Sequence, residues 1–84
     1  MNSYRVFDQS PLGLEIALRD GTGRFHIART STDVPTVGTE LAGVQPWPGL
    51  GTLLAATGGK MYRVTFELVD CSLQTTFDRL HPTL

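Results

Sequence analysis

From Tyr62 to Val69 the chain alternates, with Tyr62, Val64, Phe66 and Leu68 set against Arg63, Thr65, Glu67 and Val69. A period of two is the mark of a β-strand with one buried face and one mostly wet face. This run constrains the fold more than any other feature, because little else in the chain points to chemistry. Placed in context it becomes the second half of a hairpin. Thr52 to Ala56 forms the first half, and the turn falls at Thr57-Gly58-Gly59-Lys60.

A second hairpin precedes it. Leu14, Ile16 and Leu18 alternate with Glu15, Ala17 and Arg19, and after Asp20-Gly21-Thr22-Gly23 the pattern resumes with Phe25 and Ile27 against Arg24, His26 and Ala28. Glycine supplies the positive φ that such a turn requires. Tyr4 to Phe7 reads as a short first strand, ended by Asp8-Gln9-Ser10-Pro11, and Thr39 to Val44 as another. Gln45 to Gly51 is too broken by proline and glycine for a regular element. The tail admits two readings. Ser72 can cap a helix carrying Leu73, Phe77 and Leu80 on one side. Alternatively Leu73, Thr75 and Phe77 form a short strand followed by a turn at Asp78-Arg79-Leu80, and the threonine pair favours this second reading. The expected architecture is a single all-β domain over residues 1–84. It is a small, partly open antiparallel barrel of five to six strands with SH3-like character, and a short helical turn near the C-terminus is possible.

With 84 residues, 40% of them hydrophobic and 18% charged, the chain is globular but small. A domain of this size buries only about 60% of its unfolded surface. Seven basic and eight acidic residues leave a net charge of −1, so no global positive field draws in nucleic acid or an anionic membrane. The single cysteine, Cys71, rules out an intramolecular disulfide. The N-terminus lacks the basic and apolar regions of a signal peptide, and glycines and prolines interrupt the uncharged stretch from Leu41 to Gly59. A cytoplasmic protein without membrane contact is the expectation.

From Gly38 to Pro82 the chain resembles small SH3-like and Tudor-like barrels. The likeness rests on Tyr62-Arg63-Val64-Thr65-Phe66, on Val69-Asp70-Cys71-Ser72, on a short strand from Leu73 to Phe77 and on Leu80-His81-Pro82. The resemblance implies a binding module that holds its ligand with exposed aromatics around the barrel mouth. Tyr62 and Phe66 share the inward face of Val64, which leaves Trp47 as the loop aromatic. No cage for a methylated cation can be assembled around one ring.

Catalysis by Cys71 would need a base within reach and a pair of oxyanion donors, and no flanking motif supplies them. His26 and His81 lie too far apart, with one cysteine, to form a recognisable metal-ligand spacing. No cofactor is implied. Both glycine turns feed strands rather than a helix N-terminus, so they read as hairpin turns, not phosphate loops. Arg19, Arg24 and His26 fall on the outward face of the first hairpin, where they could contact phosphates while Trp47 stacks a base. Pro46-Trp47-Pro48-Gly49-Leu50 is the stronger candidate for a contact surface, because the prolines stiffen it and tryptophan is a preferred anchor at interfaces. The alternative is that Trp47 folds back to plug an open barrel end. The expected function is a non-enzymatic interaction module. It docks a protein partner, or a second copy as a homodimer, through the Trp47 loop or an open strand edge. Nucleic-acid binding through the first hairpin is the alternative.

Overall fold

The computed structural model describes residues 2–31 and 33–82. Six strands, β1 (Asn2–Gln9), β2 (Glu15–Asp20), β3 (Phe25–Thr30), β4 (Glu40–Gly43), β5 (Gly49–Ala55) and β6 (Met61–Cys71), precede one helix, α1 (Leu73–Leu80). All pairings are antiparallel. The strands close into a barrel in the order β1-β2-β3-β6-β5-β4. Two meanders, β1-β2-β3 and β4-β5-β6, therefore meet twice, where β3 pairs with β6 and where β4 pairs with β1. The all-β barrel is as the alternation predicts, but it is closed rather than partly open. The first hairpin supplies two of the six strands of the wall, so the barrel is not built from Gly38 onward alone. Neither meander can cover its apolar face without the other.

Tyr4, Val6, Ile16, Leu18, Ala28, Leu41, Leu53, Val64 and Phe66 fill the interior. A smaller cluster of Ala17, Ile27 and Leu80, with Leu68 and Cys71 packed against it, lies outside the wall beneath α1. This outer cluster explains where the simple alternation fails. Ala28 pairs with Phe66 but Ile27 pairs with Leu68, so Glu67 is an extra residue and the phase of β6 shifts. Leu68 moves to the outer cluster and Val69 takes up packing against the interior. On β3, likewise, His26 rather than Phe25 occupies the buried inner face, and Ile27 is covered from outside by Leu80. Three successive residues, His26, Ile27 and Ala28, are buried because a helix covers the back of the strand.

The tail is a helix, not a strand followed by a turn. Ser72 is extended and its hydroxyl accepts the Thr75 N–H at 3.1 Å, which satisfies a donor left free at the helix start. Thr76 and Leu80 face the barrel, and Thr76 Oγ1 donates to the Ser72 carbonyl at 2.8 Å. Burial of Leu80 outweighs the strand preference of Thr75-Thr76. Arg79 reaches Glu15 and Glu67 at 3.0 Å each, and Arg29 meets the same two carboxylates at 3.7 and 3.2 Å. This four-residue ion network ties α1 to β2, β3 and β6. β1 is also longer than expected, since Asp8 and Gln9 still pair with Ala17 and Ile16 past a bulge. Among the described residues no helix is long and apolar enough to cross a membrane.

Candidate functional site

One end of the barrel is closed by a buried polar lock. The Asp20–Gly23 turn is held by Gly23 N–H donating to the Asp20 carbonyl at 3.0 Å, with Gly23 at φ +88°. The same turn aims the Asp20 carboxylate inward. One oxygen accepts from the Thr22 N–H, the Thr22 hydroxyl and the Arg24 N–H at 2.9, 2.6 and 3.1 Å. The other meets His26 Nε2 at 2.7 Å. The imidazole is 1% exposed, and its Nδ1 accepts the Asp70 N–H at 2.9 Å. Since Nδ1 accepts, Nε2 carries the proton and donates to Asp20. Asp70 can present its N–H because it sits in the left-handed region at φ 59°, in the second irregular stretch of the β3–β6 ladder. Burial opposes charge on Asp20, but the Thr22 and His26 side chains and the Arg24 and Thr22 backbone N–H groups outweigh it and hold the carboxyl well below its usual range.

This lock dismantles the phosphate-contacting face expected on the first hairpin. His26 is inside, and both of its ring nitrogens are committed. Arg24 stays on the surface but is engaged by the Asp70 carboxylate at 3.1 Å. Arg19 is exposed and pairs across the sheet with Phe25, on the face opposite the His26 ring. Sequence reasoning set all three on one face because it assumed that Phe25 and Ile27 were the inner residues.

Above this mouth runs the segment from Val44 to Pro48. Tyr4 Oη donates to the Val44 carbonyl at 2.6 Å, and burial pushes the Tyr4 hydroxyl up to about 12. Gln45 and Pro46 then line a cleft of about 670 Å³ together with Asn2, Thr22 and Asp70. The chain descends into β5, which starts at Gly49 rather than Thr52. Glycines conceal this strand in the sequence, yet the packing explains them. A Cβ at Gly51 would lie 3.1 Å from both the Phe66 ring and Val44, and one at Gly43 would lie 2.6 Å from the Thr52 carbonyl.

The aromatic at the top of this segment does not plug the barrel. Trp47 is 76% exposed and Leu50 is 90% exposed. Pro48 is also exposed, and Pro46 is half-buried. The barrel end is filled instead by Tyr4, His26 and Phe66, whose rings meet at centroid distances of 6.1 to 6.5 Å. Beside Leu50 the wall is incomplete. β5 pairs with β6 from Gly49 to Leu54, but its ladder with β4 stops at Leu53. Gly43 and Val44 stay against Thr52 and Gly51, so it is Leu50 that has a neighbouring strand on one side. Two separate expectations, a contact loop at Trp47 and an open strand edge, fall at the same place.

The remaining candidates are occupied by packing. Cys71 Sγ lies 3.4 Å from the Phe25 carbonyl and 3.3 Å from Thr76 Oγ1, in the cluster under α1. His81 Nε2 meets Asp8 at 2.7 Å and its ring lies 5.1 Å from that of Phe77. Among the described residues no group of His, Cys, Asp and Glu is placed to hold a metal ion. The His26 lock was missed by sequence reasoning. The signal available was a histidine and an aspartate flanking one tight turn, a pairing that the turn itself brings together. No family model, curated protein or solved structure matches this chain, so the reading of its site rests on the geometry above.

Proposed function

We propose that this barrel is a non-enzymatic interaction module that takes a protein partner along the seam formed by Trp47, Pro48, Leu50 and the one-sided edge of β5. The observation that carries the reading is the exposure of Trp47 and Leu50, at 76% and 90%, on a wall that is otherwise closed. A domain this small has few large apolar side chains, and leaving these two in water forgoes about 2 kcal/mol each of burial. Pro46 and Pro48 restrict the backbone around Trp47, so docking the ring orders little additional chain. Leu50, beyond the end of the β4 ladder, adds a backbone donor and acceptor that an extended segment can use. Nucleic-acid binding finds less support, because the mouth holds the carboxylates of Asp20 and Asp70 and the Arg24 guanidinium is engaged by Asp70.

Photo-crosslinking in the producing cell tests this reading. A photoreactive residue in place of Trp47 should give a discrete protein adduct. The same residue in place of Leu12, an apolar side chain 87% exposed outside the seam, should not. Equal adducts from both positions, or none from either, would reject the seam as a contact surface.

A further inference from the structure

We infer that His26 is a pH-operated latch on the barrel mouth: a second proton on its ring and the hydrogen bond from the Asp70 N–H exclude each other, so acid releases the Asp70 bulge while the barrel stays folded. Nδ1 turns its lone pair to the Asp70 N–H at 2.9 Å. A doubly protonated imidazole is a donor at both nitrogens and has nothing left to accept with. The ring has no room to turn aside. It is 1% exposed, its Nε2 is held by Asp20 at 2.7 Å, and the Tyr4 and Phe66 rings stand edge-on to it at 6.1 and 6.5 Å. Two N–H groups would then face each other, and one of them has to move.

The group that can move is Asp70. Among the described residues it is the one non-glycine at positive φ, 59°, a conformation that persists only where the surroundings hold it. Phe25 pairs with Cys71 and Ile27 with Leu68, so Val69 and Asp70 together oppose the single residue His26, and the ladder is anchored on either side of them. Losing its acceptor lets Asp70 relax and turns the Val69–Asp70 peptide. Both residues line the cleft shared with Gln45 and Pro46, so the mouth has one floor near neutrality and another in acid.

The ionisable groups around the ring permit the proton to arrive in place. From β2, Asp20 is held well below the usual carboxylate range. It stays ionised where imidazoles ordinarily titrate, about pH 5 to 8, and supplies the opposite charge that a buried imidazolium requires. From β1, Tyr4 remains protonated throughout that range. From β6, the Asp70 carboxylate is turned out to Arg24, just before β3, at 3.1 Å. The segment from Val44 to Pro48 brings no ionisable side chain. His81, the other histidine, makes the same 2.7 Å contact with Asp8. Among the described residues its Nδ1 accepts no hydrogen bond, so a second proton there displaces nothing. The two His–Asp pairs look alike and respond differently.

NMR of the uniformly 15N-labelled chain from about pH 7.5 to about pH 4.5 tests the latch, reading the imidazole nitrogens and amide protection together. At neutral pH His26 should carry its proton on Nε2. As the ring takes its second proton, protection of the Asp70 amide should fall at least about tenfold with the same midpoint, while the Ala28 amide stays protected. Asp70→Asn keeps the N–H, tolerates the left-handed conformation and removes the carboxylate, so its release should still follow the His26 ring. A neutral ring protonated on Nδ1 would overturn the latch, as would a doubly protonated ring with Asp70 still protected. So would loss of Asp70 protection while the ring is neutral, a ring that gains no second proton before Ala28 is exposed, or an Asp70→Asn variant in which release no longer follows the ring.

Discussion

Strand β3 is covered on both faces and paired along both edges, whereas β5 has a bare outer face and, at Leu50, a neighbouring strand on one edge. Inside the barrel the two are alike: Ala28 on one and Leu53 on the other are fully buried. Outside they diverge. Ile27 of β3 lies under Leu80 of α1, and the Arg29, Arg79, Glu15 and Glu67 network fastens that helix down. β5 sets Leu50 and Leu54 outward with no covering element, and Arg29 and Arg63 flank Leu50. The difference separates what holds the fold from what is free to meet a partner. On the β3 side, buried polar groups have internal partners and Ile27 has cover, while Leu73 and Phe77 of α1 remain exposed. On the β5 side, both backbone and apolar side chains are left available.

The largest expected effect breaks the β3 side. His26→Ala would strip the Asp20 carboxylate and the Asp70 N–H of their buried partner and open a cavity beside Tyr4 and Phe66, at a cost of about 3 kcal/mol in urea unfolding. Asp20→Asn keeps the shape and loses the charge, and should cost about 2 kcal/mol at neutral pH. Its pH dependence has a definite sign. The Asp20 carboxyl is depressed in the folded chain, so its contribution is complete above the ordinary value of about 3.9 and fades as the pH falls below it. Wild type and Asp20→Asn should therefore converge in stability in acid.

Much of the barrel was legible because alternation reports burial directly when one face is wet. Tyr62 to Phe66 and Tyr4 to Val6 behave in this way. Legibility failed where a third layer intervened. With α1 behind it, β3 is buried on both faces, and neither His26 nor Ile27 announces which side it takes. The bulge at Glu67 is invisible for a related reason: Leu68 suits either face, and the partner strand decides which. Gly49 and Gly51 hid the start of β5, since their role is to leave room for Phe66 and Val44 rather than to favour a strand. The Trp47 segment reads from the sequence as an irregular loop, but its exposure was not settled by composition. Three rings already fill the barrel end, and only the assembled fold reveals this.

Smaller effects sharpen the comparison at its boundary. Gly51→Ala would press a methyl group against the Phe66 ring and Val44 at 3.1 Å, and should cost about 1–2 kcal/mol by overpacking. Tyr4 links the interior to the Trp47 segment, and its hydroxyl is pushed up to about 12 by burial. The unfolded chain ionises first, near 10, so this contribution is complete below about 10 and is lost as the pH rises towards the folded value. Tyr4→Phe should remove that alkaline slope. Arg79→Ala loosens α1 through partly exposed ion pairs and should cost under about 1 kcal/mol, read as a shift in urea midpoint that shrinks in salt. Trp47→Ala should leave the midpoint within about 0.5 kcal/mol of wild type.

Hydrogen exchange at single-residue resolution compares the two strands most directly. In dilute solution the Leu50 amide should exchange at close to the rate of an unstructured chain while the Gly51 and Ala28 amides remain protected, and adding the partner captured at Trp47 should slow Leu50 at least tenfold without changing Ala28. A Leu50 amide already as protected as Ala28 in dilute solution, or one indifferent to the partner captured at Trp47, would contradict the account of β5 as a free edge that meets a partner.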